Sequence, residues 1–396
     1  MTHQKAPPTT AEPGLTTRAR LFFVDNLRVV LTLLVVLHHA AITYGNIPVW
    51  YYTEPAQDPT GVLLDLFVIL NQTFFMGMFF LLAGYFVPGA TDRRGRRGFV
   101  RERLVRLGLP LLLFVILLRP LAMAPSHAEA LAADPDLPYW LLYLVTIDPG
   151  PMWFVEVLLV MSLVYVMVRR FRERRATADG GVMASVTGPV ERSADTVPLR
   201  WLGPVVLFAA GLALATFAWR YAFPAPYWPF VGLPSPGYLP QYAALFTAGV
   251  FAYRGNWLMR LPNSAGWGGL AMAAVSFLGL TVVMGALGEA LSVPGSWQAL
   301  VHILVESFFT MGVVLALLVF FRRFLNRSNR FLGFLADNAF AVYVLHALVL
   351  VAVAVALSGW EASALAKFAG LAALAVPLTW TAAAALRAVP GVKRIL

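Results

Sequence analysis

The chain of 396 residues has no cysteine, which excludes disulfides, zinc–thiolate sites and a thiol nucleophile. Charge is scarce as well. Only 13% of the residues are Asp, Glu, Lys or Arg, against roughly 25% in a soluble domain. Lysine is nearly missing: Lys5, Lys367 and Lys393 stand beside 27 Arg. With abundant Ala, Gly and Leu, this composition suggests a GC-rich bacterial gene. The chain also lacks a Walker loop, a Gly-x-Ser-x-Gly elbow and a His-Glu-x-x-His pair, so three common catalytic chemistries have no carrier. No internal repeat is visible.

What the chain has in excess is apolar surface: 59% apolar residues and a mean hydropathy of +0.72. A soluble core could not hide that much, so the chain belongs in a bilayer. The net charge of +10 does not argue for nucleic acid, because the basic residues sit in short clusters between apolar runs. Such clusters mark the cytoplasmic side of a membrane protein. Ten runs are long enough to cross a core of about 30 Å. They lie near 27–44, 61–88, 107–124, 152–168, 201–222, 238–253, 266–287, 298–321, 338–357 and 365–387. The expected fold is therefore an all-α integral membrane protein of about ten transmembrane helices. The first run reads as an uncleaved helix rather than a signal peptide, and 138–147 as a short interfacial helix. Residues 1–20 read as a disordered cytoplasmic tail, and 21–390 as a single ten-helix domain.

Orientation follows from the loops. Residues 89–106 carry seven Arg, 169–200 seven more, and 322–330 four. The intervening loops near 45–60, 125–137, 223–237, 288–297 and 358–364 carry no Lys or Arg. The alternation places both termini in the cytoplasm.

Ionisable groups inside spans cost several kcal/mol and mark function by default. The first helix carries Asp25, Arg28, His38 and His39. Eleven residues separate Arg28 from His39, three turns plus about 20°, so they share a face. Asp25 is one turn from Arg28 and can pair with it, while His38 points about 100° away from His39. His39 is expected near the bilayer middle, either as a base or as a hydrogen-bond partner of a neighbouring helix. Arg103 and Arg106 open the third span on one helical face, where they could grip phosphates or simply orient the protein. Glu156 lies one turn inside the fourth span, behind Trp153, and calls for an Arg or His partner. His302 and Glu306 are expected to pair at i,i+4. Tyr343 and His346, one turn apart in the ninth span, could orient a substrate or bond between helices. A metal site at His38, His39 and His346 is not expected, because adjacent histidines diverge.

Several of these residues fall in the pattern of the membrane-bound acyltransferase-3 family. The sequence resembles it at Asp25-Asn26-Leu27-Arg28, where an Arg-x10-His signature runs from Arg28 to His39. It resembles it again at Phe79-Phe80-Leu81-Leu82-Ala83-Gly84-Tyr85-Phe86, with Ala83 in place of the usual Ser. An Arg-x-x-Arg motif falls on Arg103 and Arg106. Trp153-Phe154 is similar to the family's span opening, with Pro151 in place of its His, and Tyr343-Val344-Leu345-His346 to its late Tyr-x-x-His. Within the family, the start and the Gly-Tyr-Phe ending look closest to the periplasmic glucan succinyltransferases.

The resemblance implies O-acylation of an extracytoplasmic carbohydrate or other envelope molecule, with cytoplasmic acetyl-CoA or succinyl-CoA as co-substrate and no permanently bound cofactor. It implies a multi-pass protein of the bacterial cytoplasmic (inner) membrane. His39 would act as general base or transient acyl carrier, with Arg28, Asp25 and Glu156 setting its field. Arg103 and Arg106 would hold the CoA phosphates, and Trp153, Tyr343 and His346 the substrate. The other reading is a transporter or flippase of a lipid-linked sugar, which ten spans with polar residues at mid-depth would also suit.

Overall fold

A computed structural model describes residues 20–178, 200–223 and 236–396. The expected tail at 1–20 therefore lies outside the described residues except for Arg20, as do parts of the loops at 169–200 and 223–237. Among the described residues the chain is all helical, with no strand. Eight helical stretches are long and apolar enough to cross a membrane.

The helix α1 runs over Phe22–Tyr44. A long α2, Gly61–Arg103, contains one non-helical residue, Gly95 (φ 67°, ψ 168°), where the chain kinks. It continues through a π-helical turn at Leu104–Gly108, α3 (Leu109–Leu113), a second π turn at Phe114–Leu118, and α4 (Arg119–Ala122). Together these form a helical run of 62 residues, about 93 Å of rise and three times the hydrocarbon thickness. Two short helices follow, α5 (Ala124–Ala133) and α6 (Tyr139–Val145), then α7 (Trp153–Ala178) and α8 (Leu202–Ala222). The rest are α9 (Leu239–Gly255), α10 (Trp257–Arg260), α11 (Asn263–Leu287), α12 (Trp297–Phe324), α13 (Arg330–Ala356) and α14 (Ala364–Ala388).

The centre of the bundle is α1, α12 and α13, whose apolar windows are 67%, 61% and 56% buried, whereas only 17% of α11 is. Outward-facing Leu207, Leu214, Val275 and Val282 of α8 and α11 stay exposed, as a lipid-facing surface requires. Without a hydrophobic force between helices in lipid, close approach of backbones holds them together. Gly84 and Gly249 provide it between α2 and α9: a Cβ on either would sit 2.1 Å from a backbone oxygen of the other helix. Gly84 of the Gly-Tyr-Phe segment is thus a packing residue. Gly269 and Gly312 do the same where α11 crosses α12.

Asn26 explains another part of the first motif. Its side-chain amide donates to the carbonyls of Leu325 (2.7 Å) and Arg327 (2.8 Å), while Asn326 accepts from the Phe23 amide (3.2 Å). The start of α1 is thereby stapled to carbonyls of the segment that follows α12.

The helix α1 begins at Phe22, and Asp25 in its first turn pairs with both Arg20 and Arg28. His39 lies five residues, about 8 Å of rise, from the Tyr44 end of α1. Glu306 pairs with Arg220 of α8 at 2.8 and 3.3 Å rather than with His302 as its principal partner. A bidentate Arg fork outcompetes one imidazole for a buried carboxylate.

Candidate functional site

The geometry that brings chemistry together begins at His39. Its Nδ1 lies 2.9 Å from the Val35 carbonyl. A carbonyl only accepts, so Nδ1 carries the proton and Nε2 presents its lone pair. His346 on α13 repeats the arrangement, with Nδ1 2.6 Å from the Tyr343 carbonyl and Nε2 buried without a partner. The two ring centroids are 5.0 Å apart. Two helices therefore deliver two imidazoles, each with Nδ1 held by a backbone carbonyl, to one place.

Aromatic rings fix them there. Trp50, from the segment between α1 and α2, lies against His39 at 4.1 Å and against Tyr51 at 5.0 Å. Tyr343 stacks on His346 at 5.7 Å, and its hydroxyl donates to the Pro151 carbonyl, tying α13 to the start of α7. Phe154 meets the Tyr343 ring edge-on at 6.0 Å. Beyond Tyr51 stands Arg119, 1% exposed and paired with Asp148 at 2.7 Å. Its guanidinium carbon is 5.9 Å from the Tyr51 ring centre.

A second cluster occupies the other end of α1. Asp25 accepts from Arg20 at 2.6 Å and lies 3.8 Å from Arg28. Arg28 is 44% exposed and lies within electrostatic reach of Arg106. Glu102 is shared by Arg94 (3.0 Å) and Arg106 (3.5 Å). Arg103 lies over the Phe99 ring at 4.9 Å, immediately before the π turn. Three guanidinium groups from two helices, Arg28, Arg103 and Arg106, thus crowd one mouth. Such crowding suits a polyanion.

The sequence-derived residues therefore separate into two places. His39, Tyr343 and His346 meet. Arg28 and Asp25 do not join them; Arg28 is eleven residues, about 16 Å of rise, from His39 and is grouped with Arg103 and Arg106. Trp153 is only 8% exposed and sits in the aromatic core, 6.4 Å from Phe80 and 5.3 Å from Tyr242, away from His39. Glu156 has a buried, unpartnered Oε2, and no Arg or His pairs with it among the described residues.

Sequence reading passed over four residues that matter here. Trp50 and Tyr51 sit in a loop with no signature, and only the fold carries them to His39. Arg119 had a signal, being an arginine in an apolar span, and Asp148 is its counter-charge. His38, by contrast, is a core residue: it accepts from Asn71 Nδ2 at 3.3 Å and packs 5.0 Å from Phe75.

A multi-helix membrane protein with two neighbouring histidines, each held by a backbone carbonyl, and a cluster of arginines has the parts of a membrane acyltransferase. The comparison with family models agrees: residues 21–384 match the acyltransferase-3 family, described as an acyltransferase domain. The chain belongs to that family and is an acyltransferase enzyme. Neither proteins of curated function nor solved structures gave a match.

Proposed function

We propose that the enzyme moves an acetyl or succinyl group from cytoplasmic acyl-CoA to a hydroxyl of an extracytoplasmic carbohydrate or other envelope molecule, in a bacterial inner membrane. The observation that carries this reading is His39, its Nδ1 held by the Val35 carbonyl so that Nε2 is left for chemistry, with the His346 ring 5.0 Å from its own. His39 takes the proton of the acceptor hydroxyl, and the oxygen attacks the thioester carbonyl. The C–S bond breaks, and the proton passes from the imidazolium to the departing thiolate. Acceptor and acyl-CoA become ester and free CoA, with nothing left over.

The phosphates of the donor rest on Arg28, Arg103 and Arg106, and the pantetheine arm runs beside α1 toward His39. This moves Arg28 from the histidine to the donor. Ten crossings with both termini cytoplasmic suit the arrangement, and two features support that number. Gly95 divides the 62-residue run, and α9, at 17 residues, lies along α2 as a further short crossing. The branch that transfers succinyl groups to periplasmic glucan remains the preferred relative, on the first motif and the Gly-Tyr-Phe ending.

The test uses the full chain in lipid nanodiscs with acetyl-CoA or succinyl-CoA. Because the protein has no thiol, any free thiol released is CoA. Release that requires His39, with an ester detected by mass spectrometry on added envelope polysaccharide, is the expected result. A protein that binds lipid-linked sugar but releases no thiol from either donor would instead be a translocator.

A further inference from the structure

Buried polar atoms without a hydrogen-bond partner are rare in folded proteins, and each calls for a reason. Among the described residues there are eight on side chains. Five of these gather at one place: His346 Nε2, Trp50 Nε1, Tyr51 Oη, Arg119 Nη1 and His127 Nδ1. Ring contacts run from His346 to His39 (5.0 Å), on to Trp50 (4.1 Å) and then to Tyr51 (5.0 Å). Arg119 follows beyond Tyr51, and its charge reaches His127, whose own Nε2 lies 3.3 Å from Thr146 Oγ1. The neighbourhood is continuous, and it starts at the reacting histidine.

The hydrogen-bonding pattern narrows what could satisfy these atoms. Trp50 Nε1 and Arg119 Nη1 only donate, His346 Nε2 only accepts in its tautomer, and Tyr51 Oη does both. Arg119 already has its counter-ion in Asp148, so the place carries little net charge. A carboxylate or phosphate would use the donors, leave the acceptors unmet and face Asp148. An ammonium group would use the acceptors and face Arg119. An uncharged group with several hydroxyls serves every atom at once.

We propose that Trp50, Tyr51, Arg119 and His127 form the acceptor subsite, which holds a neutral polyhydroxyl unit such as a sugar ring and presents one hydroxyl to His39 and His346. The inference rests on the acyl-transfer reading above and specifies its acceptor half. Trp50 and Tyr51 belong to the connection between α1 and α2, so access requires that connection to lift.

The experiment measures acyl transfer from acetyl-CoA and succinyl-CoA by the full chain in nanodiscs, with methyl glucoside as neutral probe and methyl glucuronoside as its anionic twin. Tyr51→Phe and Trp50→Phe each remove one orphaned atom and keep a ring in place. Trp50 Nε1 has no partner within the protein and Tyr51 Oη has Arg119 alone within reach, so the melting temperature should stay close to wild type. Each variant should raise the KM for methyl glucoside about fivefold, with the KM for acyl-CoA unchanged. Methyl glucuronoside should be at least about tenfold poorer than methyl glucoside, its charge being unpaired. Unchanged acceptor KM in both variants overturns the subsite, as does equal use of the two probes, or His39-dependent thiol release without transfer to methyl glucoside. If wild type shows no His39-dependent thiol release at all, acyl transfer itself fails and the subsite falls with it.

Discussion

At the Phe22 end of α1, Asp25 is divided between Arg20 and Arg28, Glu102 between Arg94 and Arg106, and Arg103 rests on a phenylalanine ring. At the Tyr44 end, His39 and His346 are held by backbone carbonyls and by the rings of Trp50 and Tyr343. The first set is long, flexible, partly exposed and several-fold redundant in positive charge. The second is short, stacked and neutral. Exposed ion pairs contribute only about 0–1 kcal/mol each, so they can exchange partners when a polyanion arrives. The rings are positioned by packing and by backbone carbonyls rather than by exchangeable charge, which suits a base that must meet a hydroxyl in a fixed geometry. In the proposed reaction, capture and chemistry thus fall to different materials, about 16 Å apart on one helix.

The largest expected effect separates the two histidines on that helix. His39→Ala should lower transfer about a thousandfold or more, within the range for loss of a general base, while the melting temperature stays close to wild type. His38→Ala should do the reverse. It deletes a side chain that is 6% exposed and leaves the Asn71 amide only its 3.4 Å bond to the Leu34 carbonyl, so stability falls by about 1–3 kcal/mol while kcat stays within a few-fold. Activity lost at His38 and kept at His39 would break the assignment of chemistry to the Tyr44 end. Assays at matched protein folding, checked by size exclusion and thermal melting, decide it.

The same comparison shows what a linear reading can reach. Local features were legible. The apolar runs gave the helices, the Arg-x10-His spacing gave a shared face on α1, and Tyr343 lay one turn from His346. What crosses between elements was not. Nothing in the sequence says that Trp50 folds onto His39, since loop residues obey no period. Asn26 looked like part of a motif, yet it works by satisfying carbonyls 299 and 301 residues away. The shared face of Arg28 and His39 was real, but Leu31, Thr32 and Val35 between them are buried in the core. Sharing a face therefore did not mean sharing a site. Trp153 was placed by a span-opening motif that sets where α7 begins, and the aromatic core took it; Glu156 was placed by its charge inside a span, and no partner meets it among the described residues.

A middle-sized effect is expected at the Phe22 end. Arg103→Lys and Arg106→Lys keep the charge and lose the fork, and Arg28→Lys does the same from the neighbouring helix. Each should raise the KM for acyl-CoA about three- to tenfold, with acceptor KM and kcat nearly unchanged. Arg93→Lys is the control. Arg94 would be a poor one, because it holds Glu102 together with Arg106. Steady-state kinetics with the donor varied at fixed acceptor reads the effect. A silent set of three variants would reduce these arginines to topology charges, and the two ends would no longer differ in task.

The smallest effect tests the electrostatic half of the comparison without changing a residue. If the donor is caught by exposed guanidinium groups, added salt should weaken that capture. The Debye length falls from about 10 Å at 0.1 M to about 3 Å at 1 M, shorter than the spread of three arginines over a nucleotide with several phosphates. Raising NaCl from about 0.1 to about 0.5 M should therefore lift the KM for acyl-CoA two- to threefold. The acceptor end should respond differently, since Arg119 and Asp148 are already paired and the rings around His39 carry no charge in the neutral tautomers. Its KM for a neutral acceptor should stay flat across the same range. The charge-preserving Lys variants should retain the salt slope while starting from a weaker KM, because screening acts on charge and not on fork geometry. An acceptor KM that rises with salt in parallel with the donor KM would mean that both substrates meet the arginine cluster, and the division of α1 into a capturing end and a reacting end would fail.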